Sequence, residues 1–216
     1  MEGCTLKDLK KMKKTITAII LALSVLTARA GNDQSLDALK SKCLQYQTLT
    51  ATFNQAKVLL SGKKITSGGK LYFSAPDRMS MIYDNPEGDL FIIDGSNLYM
   101  SKGKIAHLYD TDKNALMGSL SATLLHCVRG EVEALAAEND ADIKVESLKG
   151  SVQVTITARK KVAKGYSSII LLYNASNATL TRMELVEPNG IRNIYEMSSF
   201  AVNPSVDDAV YSYPKK

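Results

Sequence analysis

The chain has 216 residues, of which 45% are hydrophobic and 23% charged, with ten Tyr, four Phe and no Trp. This composition excludes a disordered chain, a collagen-like repeat and a mucin-like stalk. Two His and three Cys are too few for a multi-zinc protein or a disulfide-dense scaffold.

The N-terminus carries a leader pattern. Met12-Lys13-Lys14 precedes an apolar run from Thr15 to Leu26, and Ala28-Arg29-Ala30 forms a small-residue cleavage site. This order reads as a secretory signal peptide over residues 1–30, removed after Ala30. The run is too short for a membrane span, which takes about 20 apolar residues. Residue 31 is Gly, so the lipid-modified cysteine of a bacterial lipoprotein is absent, and Met12 is a second plausible start. Residues 1–30 hold six of the 27 basic and two of the 22 acidic residues, so the remaining chain is almost neutral. The excess charge belongs to the leader and does not point to nucleic acid.

Residues 31–216 read as one domain. Ser35 is placed to cap a helix whose apolar stripe is Leu36, Leu39, Cys43 and Tyr46. The period then becomes two. Leu49, Ala51 and Phe53 alternate with polar residues, Gly69 to Phe73 follows, and Met79, Met81 and Tyr83 share one face. Arg78 and Ser80 make the opposite face the expected solvent side, although Ile82 weakens the contrast. Asp94-Gly95-Ser96 joins two further strands as a hairpin, and Ile105 to Tyr109 adds another. From Asp112 a helical stripe runs through Leu116, Met117, Leu120, Leu124 and Cys127, with Gly118 as a local conflict. A short second helix follows Gly130. Strand patterns return from Ala141 to Phe200. The expected fold is mainly β (α+β): a long, curved antiparallel meander of about ten strands, with helices on one face. The two Asn-x-Ser/Thr sequences at Asn174 and Asn177 read as a polar hairpin loop.

Catalytic motifs are scarce. His107 lies in a strand pattern and His126 near a helix end, neither with a partner at ligand spacing. No nucleophile elbow or phosphate-cradling loop is present. Ser67-Gly68-Gly69 reads as a bend in the sheet, and Glu131, Glu133 and Glu138 as a solvated helix face. No enzyme activity, metal or cofactor is expected. Cys43 and Cys127 read as buried thiols; if paired instead, they would tie the first helix to the helical insertion.

An ordered set of motifs resembles the periplasmic outer-membrane lipoprotein carrier family (LolA-type). It comprises Phe53-Asn54-Gln55, then Ser67-Gly68-Gly69-Lys70-Leu71-Tyr72-Phe73 with Pro76. Met79 to Tyr83 with Pro86-Glu87-Gly88, and Leu90-Phe91-Ile92-Ile93-Asp94-Gly95 with Leu98-Tyr99, complete it. The resemblance implies an incomplete β-barrel that holds lipoprotein acyl chains. It also implies cargo taken from an inner-membrane ABC lipoprotein-releasing complex and passed to the outer membrane, where an acceptor is present. A periplasmic monomer that binds no nucleic acid is expected.

The expected cavity lining is Leu49 and Phe53 on one strand, Leu71 and Phe73 on the next, and Met79, Met81 and Tyr83 on the third. Leu90, Ile92, Leu98 and Met100 complete it. The expected lids are Leu36, Leu39 and Cys43 on the first helix and Leu116, Leu120 and Leu124 on the insertion. Where the best-known branch has Arg before the proline ending the second strand, this chain has Ala75; Arg78 is nearby but on the next strand. Competing readings are a sensor or scaffold of the same fold and an exported hydrolase with a dispersed site.

Overall fold

The computed structural model describes residues 35–214, so the leader over 1–30 and its cleavage site lie outside the described residues. A helix over 35–43, α1, precedes six strands: β1 (Thr48–Val58), β2 (Lys64–Ser74), β3 (Arg78–Asn85), β4 (Glu87–Asp94), β5 (Asn97–Lys102) and β6 (Ile105–Asp110). Two helices follow, α2 (Ala115–Arg129) and α3 (Val132–Glu138). Five more strands complete the sheet: β7 (Ala141–Leu148), β8 (Ser151–Ala158), β9 (Ser168–Asn174), β10 (Leu180–Val186) and β11 (Arg192–Val202). A short 3₁₀ helix, η1 (Asp208–Tyr211), lies in the C-terminal tail.

All eleven strands form one sheet in the order β6-β5-β4-β3-β2-β1-β11-β10-β9-β8-β7. Every neighbouring pair is antiparallel. The chain runs out along one wing to β6, crosses through α2 and α3 to the far edge at β7, and returns to pair β11 with β1. Edges β6 and β7 do not pair, so the barrel is incomplete, as expected. α2 reaches β6 and β10, while α3 packs on β7 and β8.

The inner face carries the main core. Phe53, Phe73, Met79, Ile93, Leu98, Leu171 and Tyr173 are buried on it, together with Leu36, Leu39, Leu124, Val128, Val132 and Leu135 from the helices. Each such large apolar side chain contributes about 1.5–3 kcal/mol on burial. Ser35, expected as the cap of α1, is itself helical.

Two glycines shape the architecture. The β2–β3 register shifts between Gly68 and Gly69, and a Cβ on Gly69 would sit 2.0 Å from the Ile82 carbonyl oxygen. The expected bend is therefore a bulge that only glycine permits. Gly118, the local conflict within α2, packs against the Thr111 carbonyl oxygen, 2.7 Å from where its Cβ would be. Close approach outweighs helix propensity there. Asn114, which the pattern missed, caps α2 by accepting from the Met117 N–H at 3.2 Å.

The outer face of β3–β5 differs from expectation. Instead of facing solvent, Ser80 is fully buried, and Ile92, expected in the cavity lining, is 1% exposed beneath the C-terminal tail. Tyr211 hydrogen-bonds Ser74 at 2.7 Å, Tyr213 stacks on Tyr99, and Arg78 pairs with Asp208 at 2.9 Å while lying over the Tyr211 ring. Arg78 thus anchors the tail outside the barrel.

Candidate functional site: the concave face and its openings

The sequence-expected lining divides into three groups. Leu49, Phe53, Leu71, Phe73, Met79, Met81 and Leu98 share the inner face and are fully packed there. Tyr83 and Met100 are half-buried and line an opening at one end of the inner face. Ile92 faces outward beneath the tail, and Leu90 packs with that outer cluster while its edge reaches the rim of the opening. The inner-face residues of β4 are instead Phe91 and Ile93, paired with Met81 and Met79 on β3 and with Met100 and Leu98 on β5. Leu90 to Ile93 is an unbroken apolar run, so alternation alone cannot say which two face inward.

This first opening is about 570 Å³. Its walls include Tyr83, Phe91, Met100 and Tyr109, and its mouth includes Lys57, Ile65, Lys102 and Ile105. A polar knot fixes its floor. The Gln55 Oε1 accepts from the Tyr83 hydroxyl and the Ser67 hydroxyl, each at 3.0 Å, and its amide donates to the Tyr195 hydroxyl at 3.0 Å. The Tyr83 ring meets Phe53 edge-on at 5.1 Å. Burial, reinforced by the charge of Asp89, pushes the Tyr83 hydroxyl up to about 12. Burial likewise raises the Tyr195 hydroxyl, aided by Tyr83. Both stay neutral and serve as hydrogen-bonding groups, not bases. Gln55 and Ser67 lie within the quoted motifs and Tyr195 in the last strand pattern, but none was placed in the site from sequence.

A second opening, about 630 Å³, lies between α2 and two loops. Leu116, Met117 and Leu120 line it from the helix; Val162 and Tyr166 line it from the β8–β9 loop and Pro188 from the β10–β11 turn. Leu116 is 49% exposed and Leu120 half-buried, so the outer turns of α2 are incompletely covered. Its inner turns are locked. Leu124 and Cys127 are buried, and the Tyr173 hydroxyl donates to the Cys127 carbonyl at 2.6 Å. The other expected lid residues, Leu36, Leu39 and Cys43, are buried under α1. A larger cavity of about 900 Å³ lies on the outer face. Arg182, Glu184, Arg192 and Glu196 form an ion-pair network beside it, which suits polar contacts rather than alkyl chains.

Cys43 and Cys127 are free, buried thiols. The Cys43 thiol lies against Gly130, whose Cβ would come 2.8 Å from the sulfur, and donates to the Ala178 carbonyl at 3.5 Å. Close packing at Gly130, which has φ +64°, connects α1 to the α2–α3 junction. His126 does have partners: Nδ1 lies 2.8 Å from Glu131 and Nε2 3.2 Å from Glu138. Glu131 also pairs with Arg129 at 2.8 Å, so it is a junction residue and not part of a solvated face. The sequence missed this because the chain turns at Gly130 and folds α3 back beside α2. Among the described residues, no group of three His, Cys, Asp or Glu is placed to hold a metal ion.

The fold and its openings define an open antiparallel half-barrel whose helices cover an apolar interior. The chain belongs to the family described as outer membrane lipoprotein carrier protein LolA, whose model matches residues 45–214. It is 26% identical to an outer-membrane lipoprotein carrier protein from Shewanella woodyi, over 92% of this chain and 88% of that protein. A protein of the same description from Methylibium petroleiphilum is 25% identical, over 83% of this chain and 85% of its own length. Among solved structures, MucB superposes with a TM-score of 0.52 at 14% identity, covering 86% of this chain and 63% of that one. An uncharacterized conserved protein from Thermus thermophilus gives 0.51 at 11% identity, covering 85% and 94%. At these identities the solved structures share the fold alone.

Proposed function

We propose that the protein is a periplasmic carrier that shields lipoprotein acyl chains in the half-barrel and ferries them from the inner to the outer membrane. The observation that carries this reading is a packed apolar interior with two openings beside it, one of them lined by incompletely covered residues of α2. Family membership supports the same role. Each methylene withdrawn from water contributes about 0.8 kcal/mol, so a lipid anchor needs apolar cover to cross an aqueous compartment.

In the structure the interior is filled by the protein's own side chains, with Met79 and Met81 nearly inaccessible. Loading therefore requires α2 to move outward at Leu116, Met117 and Leu120 while its C-terminal turn stays fixed through Tyr173. Methionine suits a lining that must repack around chains of different length. Cargo passes from an inner-membrane ABC lipoprotein-releasing complex to the carrier, and then to an outer-membrane acceptor where one exists. A fluorescent acyl probe tests the binding step: uptake by delipidated protein, and loss of uptake in Leu120→Glu, support it. Absence of uptake by the unaltered protein overturns it.

A further inference from the structure

The hairpin tips around the first opening carry a pattern that acyl binding does not require. Leu60, at the tip joining β1 and β2, is 72% exposed; Ile105, at the start of β6, is 65% exposed; Ile65 on β2 is 48% exposed. Ile65 and Ile105 face the same mouth, with Lys57 and Lys102 beside them. Register explains the arrangement: Lys57 pairs with Ile65 across the first hairpin and Lys102 with Ile105 across the second.

Charge follows the same geometry. The two hairpin segments 57–65 and 102–105 contain five lysines, Lys57, Lys63, Lys64, Lys102 and Lys104, and no acidic residue. None of the five belongs to an ion pair found among the described residues. The acidic groups nearby are Asp84 and Glu87 at the β3–β4 turn, Glu187 in the β10–β11 turn, where it accepts from the Asn193 amide at 3.1 Å, and Asp89, which is buried and accepts from the Gly103 N–H at 2.7 Å. The chain after residue 30 is nearly neutral, so this end is locally polarised. Exposed aliphatic tips ringed by unpaired lysines match a surface that is anionic at its face and apolar beneath.

We infer that the β1–β2 and β5–β6 hairpin tips dock the protein on an anionic phospholipid bilayer, with the mouth of the first opening turned toward the lipid. Leu60, Ile65 and Ile105 enter the interface, and the lysines meet lipid phosphates. This does not rest on the carrier reading: bilayer binding and acyl uptake are separate measurements.

The test is co-sedimentation of the chain from Gly31 onward with vesicles of phosphatidylcholine alone or with phosphatidylglycerol added. Binding is expected to the anionic vesicles only and to weaken as salt is raised. K63E/K64E/K104E is expected to weaken it roughly tenfold or more. Leu60→Ser with Ile105→Ser is expected to weaken it at low salt, while circular dichroism and melting stay unchanged because all five sites are exposed. No binding to anionic vesicles, equal binding to neutral ones, or wild-type binding by the charge-reversed variant would overturn the inference. The last result would place any membrane attachment elsewhere, such as at a protein partner.

Discussion

Tyr83 on β3 reaches across β2 to hydrogen-bond Gln55 on β1 at 3.0 Å. The reach is possible because Gly69, the β2 residue paired with both Phe53 and Tyr83, puts no side chain between them. The two rings meet edge-on over the glycine, and the Tyr83 hydroxyl continues to the Gln55 amide. The Phe-x-Gln and Gly-Gly motifs, separate in sequence, are one structural device.

Gln55→Leu should therefore destabilise the fold by about 1–3 kcal/mol, because three hydroxyls lose a shared partner. Tyr83→Phe should cost about 1 kcal/mol. The double variant should cost less than the sum of the two. Urea unfolding of the four proteins checks this, and strict additivity would show that the two residues do not act together.

Gly69→Ala should destabilise by several kcal/mol, although alanine is an acceptable strand residue elsewhere. The new Cβ would meet the Ile82 carbonyl at 2.0 Å and the Tyr83 Cα at 2.8 Å, both backbone, so β2 and β3 must separate. Thermal melting is the readout. Gly150→Ala is the control: it has nothing within 4 Å, and its penalty is only that of a φ of +78°.

The strands and helices were legible because apolar period switches from 3.6 to 2 and back at the places where the chain turns. The inner face of β3 was legible because Met79 and Met81 alternate with Arg78 and Ser80, even though Ile82 weakens the contrast before Tyr83. The face of β4 was not, because Leu90 to Ile93 is uniformly apolar and both faces are covered. The tail's role was hidden because Tyr211 and Tyr213 pack on Ser74 and Tyr99, more than a hundred residues away. The break at Gly130 was legible, but the Glu131–His126–Glu138 cluster needed α3 to fold back beside α2, which no local pattern specifies.

Two methionines separate core from opening. Met81 is 3% exposed within the packed interior, so Met81→Glu should destabilise the empty protein by several kcal/mol. Met100 is half-buried at the opening, where a carboxylate can reach water, so Met100→Glu should fold nearly normally yet weaken acyl-probe uptake. Paired melting and uptake measurements check this. Equal melting of the two variants would mean that the interior is already open to water.

Alkaline pH should weaken the fold. Burial, reinforced by Glu131, pushes the Cys43 thiol from 9.0 up to about 12, and burial moves the Tyr83 hydroxyl from 10.0 to about 12. Between about pH 9 and 12 the unfolded chain releases protons that the folded chain retains, so stability falls as pH rises. The contribution is fully present below about pH 9. Urea midpoints across that window should drop, and Cys43→Ala should flatten the first part of the drop. A constant midpoint in the wild-type protein would contradict the buried, neutral thiol.

Transfer itself can be followed with a labelled, fully acylated lipoprotein in inner-membrane vesicles that contain an ABC lipoprotein-releasing complex. Incubation with ATP and the protein should move label from the vesicles into a one-to-one complex in the supernatant, and Leu120→Glu should abolish the movement. Label that stays in the vesicles while the protein still takes up free acyl probe would contradict the carrier and leave a lipid-binding protein that does not transport.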